Sequence, residues 1–265
     1  MATKRVATSI LLISMIAGVI FVDWLCGLVV TLFIIGGLYE FFSMLDKKGI
    51  SAYKYFGIGL GMVIPLSIMF RFELTKGWEF LFIVLALLFL ILMQFKRRKN
   101  SGAIVDISTT IFGIIYVSWF FSFLIKIRYL EGGLGLLAVV VLLITKSGDI
   151  GAYLVGSRFG KNLLFARVSP NKTVEGAIGG LIFNILVALF CKPFLGFSYF
   201  HIIFLAVCMG LLGQLGDLSE SLIKRDCEVK DSGKIFPGMG GVLDEIDSLL
   251  FVAPAFYFYM SVVLR

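Results

Sequence analysis

"GDLSESLIKRDCEVKDSGKIFPGMGGVLDEID", residues Gly216–Asp247, holds twelve of the 41 charged residues of a 265-residue chain, and long apolar runs flank it on both sides. A soluble domain of this size is about half apolar and about a quarter charged. This chain is 59% hydrophobic and only 15% charged, with 27 Phe and a mean hydropathy of +1.00. The medium that suits such a composition is a lipid bilayer. Where charge is this scarce, its concentration in one segment between two apolar runs marks that segment as a place for chemistry.

A bilayer-spanning helix needs roughly 20 mostly apolar residues. Nine runs meet that need: about 6–22, 24–45, 55–72, 78–95, 103–125, 130–156, 175–196, 199–222 and 243–264. The first lacks a small-residue cleavage site and a second follows at once, so it reads as a retained span rather than a signal peptide. With the N-terminus cytoplasmic, 18 of the 24 Lys and Arg fall in inside segments, and six fall outside: Arg71, Lys76, Lys126, Arg128, Lys192 and Arg265. Basic residues concentrate on the cytoplasmic side of membrane proteins. The expectation is an all-α, polytopic integral membrane protein of about nine transmembrane helices, in a cell inner membrane, with a cytoplasmic N-terminus. This anchoring accounts for the net charge of +7 without a nucleic-acid partner. Cys26, Cys191, Cys208 and Cys227 show no paired spacing, and His201 is the single histidine. A disulfide framework, a zinc site and a Ser-His mechanism are all disfavoured.

The two parts of the chain differ. Up to residue 128 the spans are plain, with their polar residues at the ends. Pro65 falls inside the third run, where neighbouring helices must repair the hydrogen bond it removes. The region 129–265 carries the unusual residues. Lys146 and Asp149 interrupt an apolar run; they can pair with each other, or face a ligand that Gly148 and Gly151 allow to approach. In "VSPNKTVEGAIGG", residues 168–180, Ser-Pro-Asn turns the chain and Thr173 or Asn171 can cap a helix. A lysine at such a helix start, Lys172, favours phosphate. Asp217, Glu220, Ser221 and Lys224 fall at i, i+3, i+4 and i+7 and line one helix face. Asp244 and Asp247 share a face of the next helix. Glycine-rich faces here leave room for a homodimer.

Two antiparallel helices thus bring Asp217, Asp244 and Asp247 to one depth, where three carboxylates repel each other. A divalent cation relieves that repulsion, and Mg²⁺ takes oxygen ligands while sharing its shell with water and substrate phosphates. Lys224, Arg225, Lys230 and Lys234 suit the phosphates themselves. Carboxylates and cations in one loop are what a metal–nucleotide or metal–pyrophosphate site requires.

The run Ser221–Lys224–Arg225, Lys230–Asp231–Ser232–Gly233 and Phe236–Pro237–Gly238–Met239–Gly240–Gly241–Val242–Leu243–Asp244–Glu245–Ile246–Asp247 resembles the signature of the phosphatidate cytidylyltransferases, the CDP-diacylglycerol synthases. "GDIGAYLVGSRFGK" at 148–161 and "SPNKTVEG" at 169–176 are further similarities, so the likeness covers roughly the C-terminal 120 residues. Met239 stands where that signature has His, and Glu245 where it has Arg. The resemblance implies that CTP and phosphatidate give CDP-diacylglycerol and pyrophosphate on the cytoplasmic side of the membrane. It implies catalytic roles for Asp217, Lys224, Asp244 and Asp247, with the three aspartates holding Mg²⁺ and leaving room for a second metal ion. Lys172, Lys224 and Arg225 would bind the triphosphate, Asp149 and Asp231 a ligand or the cytidine, and Ser221 and Asn171 would hydrogen-bond beside them. Two other readings stand beside it: a different CTP- or CDP-using lipid enzyme, and a transporter whose charged helices line a pathway.

Overall fold

A computed structural model describes Gly18 and residues 22–71, 78–97, 102–130, 135–236 and 240–263. Of the first apolar run, about 6–22, only Gly18 and Val22 are described, and Met239 lies outside the described residues. The elements in order are α1 (Asp23–Lys47), α2 (Lys54–Met69), α3 (Trp78–Phe95), α4 (Ala103–Arg128), α5 (Leu136–Phe159), β1 (Leu163–Phe165), β2 (Ser169–Thr173), α6 (Val174–Phe190), the single turn α7 (Lys192–Leu195), α8 (Tyr199–Asp226) and α9 (Val242–Val263). Among them α1, α4, α5, α8 and α9 are long and apolar enough to cross a membrane, while α2, α3 and α6 are shorter apolar helices. The protein is an all-α, multi-pass membrane protein, and eight of the nine expected runs correspond to apolar helices among the described residues.

Val30, Ile34, Leu38, Phe41, Phe42 and Leu45 recur along α1 at helical spacing and are all buried. They join a core that runs continuously from Cys26 to Met260, across the division expected at residue 128. Leu81, Val84, Leu85, Leu88, Phe89 and Leu92 of α3 point outward instead. In water such a face would be a liability; against acyl chains it needs no cover.

The kink at Pro65 is repaired from outside α2. Proline has no N–H to give the carbonyl four residues back, that of Gly61. Ser118 of α4 donates its hydroxyl to that carbonyl at 2.5 Å. Ser118 lies in the π-helical stretch Ile114–Trp119 of α4, a local widening that often marks a functional place in a helix. Tyr116 belongs to the same stretch and is buried, its ring stacked on Phe112 at 5.3 Å.

Between α5 and α6 the chain makes an antiparallel hairpin, β1 with β2. Ser169, Pro170 and Asn171 are strand residues here, and the turn falls at 166–168 instead. The pairing shifts register between Leu163 and Phe165, an irregularity that suits a strand containing proline. Thr173 takes the capping role, its hydroxyl accepting the N–H of Gly176 at 3.1 Å.

Helices α5 and α6 pack along glycines. A Cβ on Gly180 would sit 2.8 Å from the Gly148 carbonyl, and one on Gly176 would sit 2.9 Å from the Ala152 carbonyl. Backbone cannot yield as a flexible side chain can. Gly180→Val should therefore destabilise the protein by about 1–3 kcal/mol. Gly59→Ala should not, because nothing lies within 4 Å of the added carbon. Thermal unfolding of the detergent-solubilised proteins checks this; equal midpoints for both variants would contradict the close-packed seam.

Candidate active site

Three helices converge on a cavity of about 410 Å³ lined by Lys146, Asp149 and Ile150 of α5, Asp217 and Lys224 of α8, and Asp244, Glu245 and Asp247 of α9. Seven of these eight side chains are ionisable. The approach of α8 to α9 depends on Gly216: a Cβ there would collide with the Asp247 carbonyl and reach 3.2 Å from the Ser248 Cα. The glycine before Asp217 is what lets the two acidic helix faces meet.

Lysines divide the carboxylates among themselves. Lys172 of β2 pairs with Asp217. Lys224 lies between Glu220, one turn earlier on α8, and Asp244, whose Oδ1 is 2.6 Å away. Glu220 is fully buried, so Lys224 supplies the counter-charge that allows a carboxylate at this depth. The other oxygen of Asp244, Oδ2, accepts from the Gly241 N–H at 2.7 Å, the Ser232 N–H at 3.0 Å and the Ser232 hydroxyl at 2.9 Å. The Gly241 contact is the reach of an early helical acid back to the start of its own helix. Both Asp244 oxygens are thus engaged by the protein.

Asp149 and Asp247 are held more loosely. Asp149 Oδ2 lies 3.4 Å from the Lys146 ammonium and 3.3 Å from the Ser248 hydroxyl. Asp247 Oδ1 accepts the Ser248 N–H at 2.5 Å. Ser248 therefore bridges two aspartates from different helices. Among the described residues no three Asp, Glu, His or Cys side chains form a closed metal cage. An open acidic wall is nevertheless the donor set that Mg²⁺ accepts when waters and phosphates complete its shell.

The structure sorts the expected residues. Asp149, Asp217, Lys224, Asp244 and Asp247 line the one cavity, and Lys172 reaches its edge through Asp217. Ser221 is buried on the same face of α8. Asn171 is exposed on β2, and Asp231 is exposed in the loop before α9; neither lines the cavity. Arg225 turns away, donating its Nε–H to the Val168 carbonyl at 3.2 Å. It ties α8 to the hairpin.

Glu40 is a site residue that the spacing of the charged motifs does not reveal. Glu40 of α1 is 3% exposed, so the polar residues of the early spans do not all sit at their ends. Its Oε2 accepts the Leu243 N–H at 2.9 Å and the Ser232 hydroxyl at 3.0 Å. An anion at the first turn of α9 is favoured by the unpaired N–H groups and by the helix dipole. Ser232 shares its single hydroxyl proton between Glu40 and Asp244. A chain of contacts consequently runs from α1 through Ser232 and Asp244 to Lys224. A lone acid in "GLYEFFSM" was the available signal, since a charge at membrane depth has a reason to be there. Gly233 and Gly241 make room for it, because a side chain on either would strike the Glu40 carboxylate.

The fold is that of an α-helical membrane protein with a polar cavity lined by carboxylates and lysines of α5, α8 and α9. Residues 3–263 match the cytidylyltransferase family, and the chain belongs to that family. It is 35% identical over 227 residues to the phosphatidate cytidylyltransferase of Bacillus subtilis, covering 84% of each chain. It is 29% identical over 293 residues to that of Synechocystis, covering 100% of this chain and 98% of the relative. The likeness therefore extends over the N-terminal helices too, where the sequence motifs had shown only hydrophobicity.

Glu40→Ala leaves the buried Leu243 N–H without its acceptor, at a cost of about 1–3 kcal/mol, and leaves Ser232 with Asp244 alone. Turnover should fall with stability, whereas Glu40→Gln keeps an acceptor oxygen and should lose less of both. Unchanged unfolding midpoint and turnover in Glu40→Ala would show that α1 does not support the site.

Proposed function

We propose that the protein transfers the cytidylyl group of CTP to phosphatidate, giving CDP-diacylglycerol and pyrophosphate. The observation that carries this reading is the convergence of α5, α8 and α9 on one cavity lined by carboxylates and lysines. The naming of the relatives as phosphatidate cytidylyltransferases supports the choice of substrates.

In this reaction a phosphatidate oxygen forms a bond to the α-phosphorus of CTP, and the bond to the β-phosphate oxygen breaks. The attacking phosphate is already ionised, so no side chain has to remove a proton. The requirement is to bring two polyanions together in line, which rests on positioning and charge neutralisation. Lys224, fixed by Glu220 and Asp244, presents an immobilised ammonium to the triphosphate or to the departing pyrophosphate. Lys172, at the end of β2, does the same from the other side of Asp217. Asp217 and Asp247, with Asp149 beside them, would hold Mg²⁺, which when bound offsets phosphate charge. Asp244, occupied on both oxygens, serves to anchor Lys224 and to start α9. The cavity faces the cytoplasm, where CTP is available, and lipid reaches it from the inner leaflet.

Purified protein given CTP, Mg²⁺ and phosphatidate should release pyrophosphate; a transporter would release none. Asp217→Asn and Asp247→Asn should each cut turnover by at least about 100-fold, as loss of one charge-stabilising group does elsewhere. The double variant should be little worse, because residues sharing one function are lost together. Raised Mg²⁺ should partly restore the singles but not Asp244→Asn. Near-normal rates with unchanged Mg²⁺ dependence in both singles would remove the metal assignment.

Sidedness has its own test. Lys234 is exposed in the loop between α8 and α9. Lys234→Cys should resist a membrane-impermeant maleimide in intact cells and react after permeabilisation. Labelling from outside would invert the topology.

A further inference from the structure

Three lysines stand in or at the cavity, and they are not equally neutralised. Lys172 is paired with Asp217. Lys224 is 13% exposed and shared by two carboxylates. Lys146 is different. Its side chain is 37% exposed, and its closest partner is a neutral group, the Glu245 backbone carbonyl at 2.8 Å. Asp149 is a weak second partner at 3.4 Å. An ammonium has three N–H donors, so at least one remains for the cavity that Lys146 lines. A phosphate oxygen arriving there meets a positive charge that the protein has positioned and spent only in part, on the long 3.4 Å pair with Asp149.

We infer that Lys146 is a phosphate-binding residue of this site, its ammonium hydrogen-bonded to a phosphate oxygen of CTP or of phosphatidate. The inference rests on the proposed reaction. Neighbouring acids fit the role. Asp149, Glu245 and Asp247 lie on the same wall, and without an intervening cation they would repel a polyanion. Glu245 also occupies the signature position at which the resembled pattern has arginine. Lys146 rests on the carbonyl of that residue, so α5 supplies to this region the cation that α9 does not.

The test uses full-length protein in lipid nanodiscs, with rates measured for CTP at saturating phosphatidate and for phosphatidate at saturating CTP. Lys146→Gln keeps a donor for the Glu245 carbonyl while removing the charge, and thermal unfolding establishes that it folds. It should raise KM in one of the two arms and lower that kcat/KM about 10- to 100-fold, the size of a lost charge-assisted hydrogen bond. The affected arm identifies whose phosphate Lys146 holds. Lys146→Arg should retain most of the activity. Adding Glu245→Arg to Lys146→Gln should recover much of the loss, because a guanidinium then enters the same cavity from α9. A folded Lys146→Gln with unchanged kinetic constants in both arms would overturn the inference. So would a loss that neither Lys146→Arg nor the double substitution relieves, since that marks a structural role. Failure of the wild type to release pyrophosphate would instead overturn the proposed reaction and is seen before any variant is made.

Discussion

The contact between Lys224 and Asp244 holds the site together. It joins α8 to α9 at 2.6 Å, and everything around it exists to make two opposite charges tolerable at the end of a membrane helix. Ions taken out of water are stable only when their remaining hydrogen-bonding capacity is met. Asp244 meets that demand with Ser232 and Gly241, and Lys224 meets it with Glu220. Removing any member leaves another exposed to the same penalty, so the cluster behaves as one structural unit. This is why the facing ends of α8 and α9 carry charge of both signs.

That unit is braced from the opposite end of the chain. Glu40 belongs to α1, about 200 residues away in sequence, yet it binds the first turn of α9 and the serine that binds Asp244. The N-terminal helices are therefore more than a greasy support. The same logic explains the repair at Pro65, where Ser118 of α4 satisfies a carbonyl left open in α2. In a medium without water, each unsatisfied backbone group must find a partner on another helix.

Close backbone approach is the second condition. Gly216 lets α8 reach the Asp247 carbonyl, and the glycines of α5 and α6 let those helices touch. Such contacts replace the hydrophobic driving force that helices lack among lipid tails. They also set the width of the cavity: with bulkier residues at these points, Asp149, Asp217 and Asp247 would not share one wall.

Much was legible in the sequence. Run length and hydropathy determined the helices, because a membrane imposes a minimum apolar length on each. Helical spacing placed Asp217 with Lys224 and Asp244 with Asp247 on common faces, since a 3.6-residue repeat is local. The signature residues identified the family for the same reason: they lie close together in the chain. What local pattern does not carry is which helices meet. Only the tertiary structure brought Glu40 beneath α9, set Lys146 against the Glu245 carbonyl, engaged Asp244 fully while leaving Asp149 beside Ser248, and turned Arg225 toward the hairpin. Each depends on contacts between elements distant in sequence, and a hydrogen bond of about 3 Å is decided by packing that no single segment encodes.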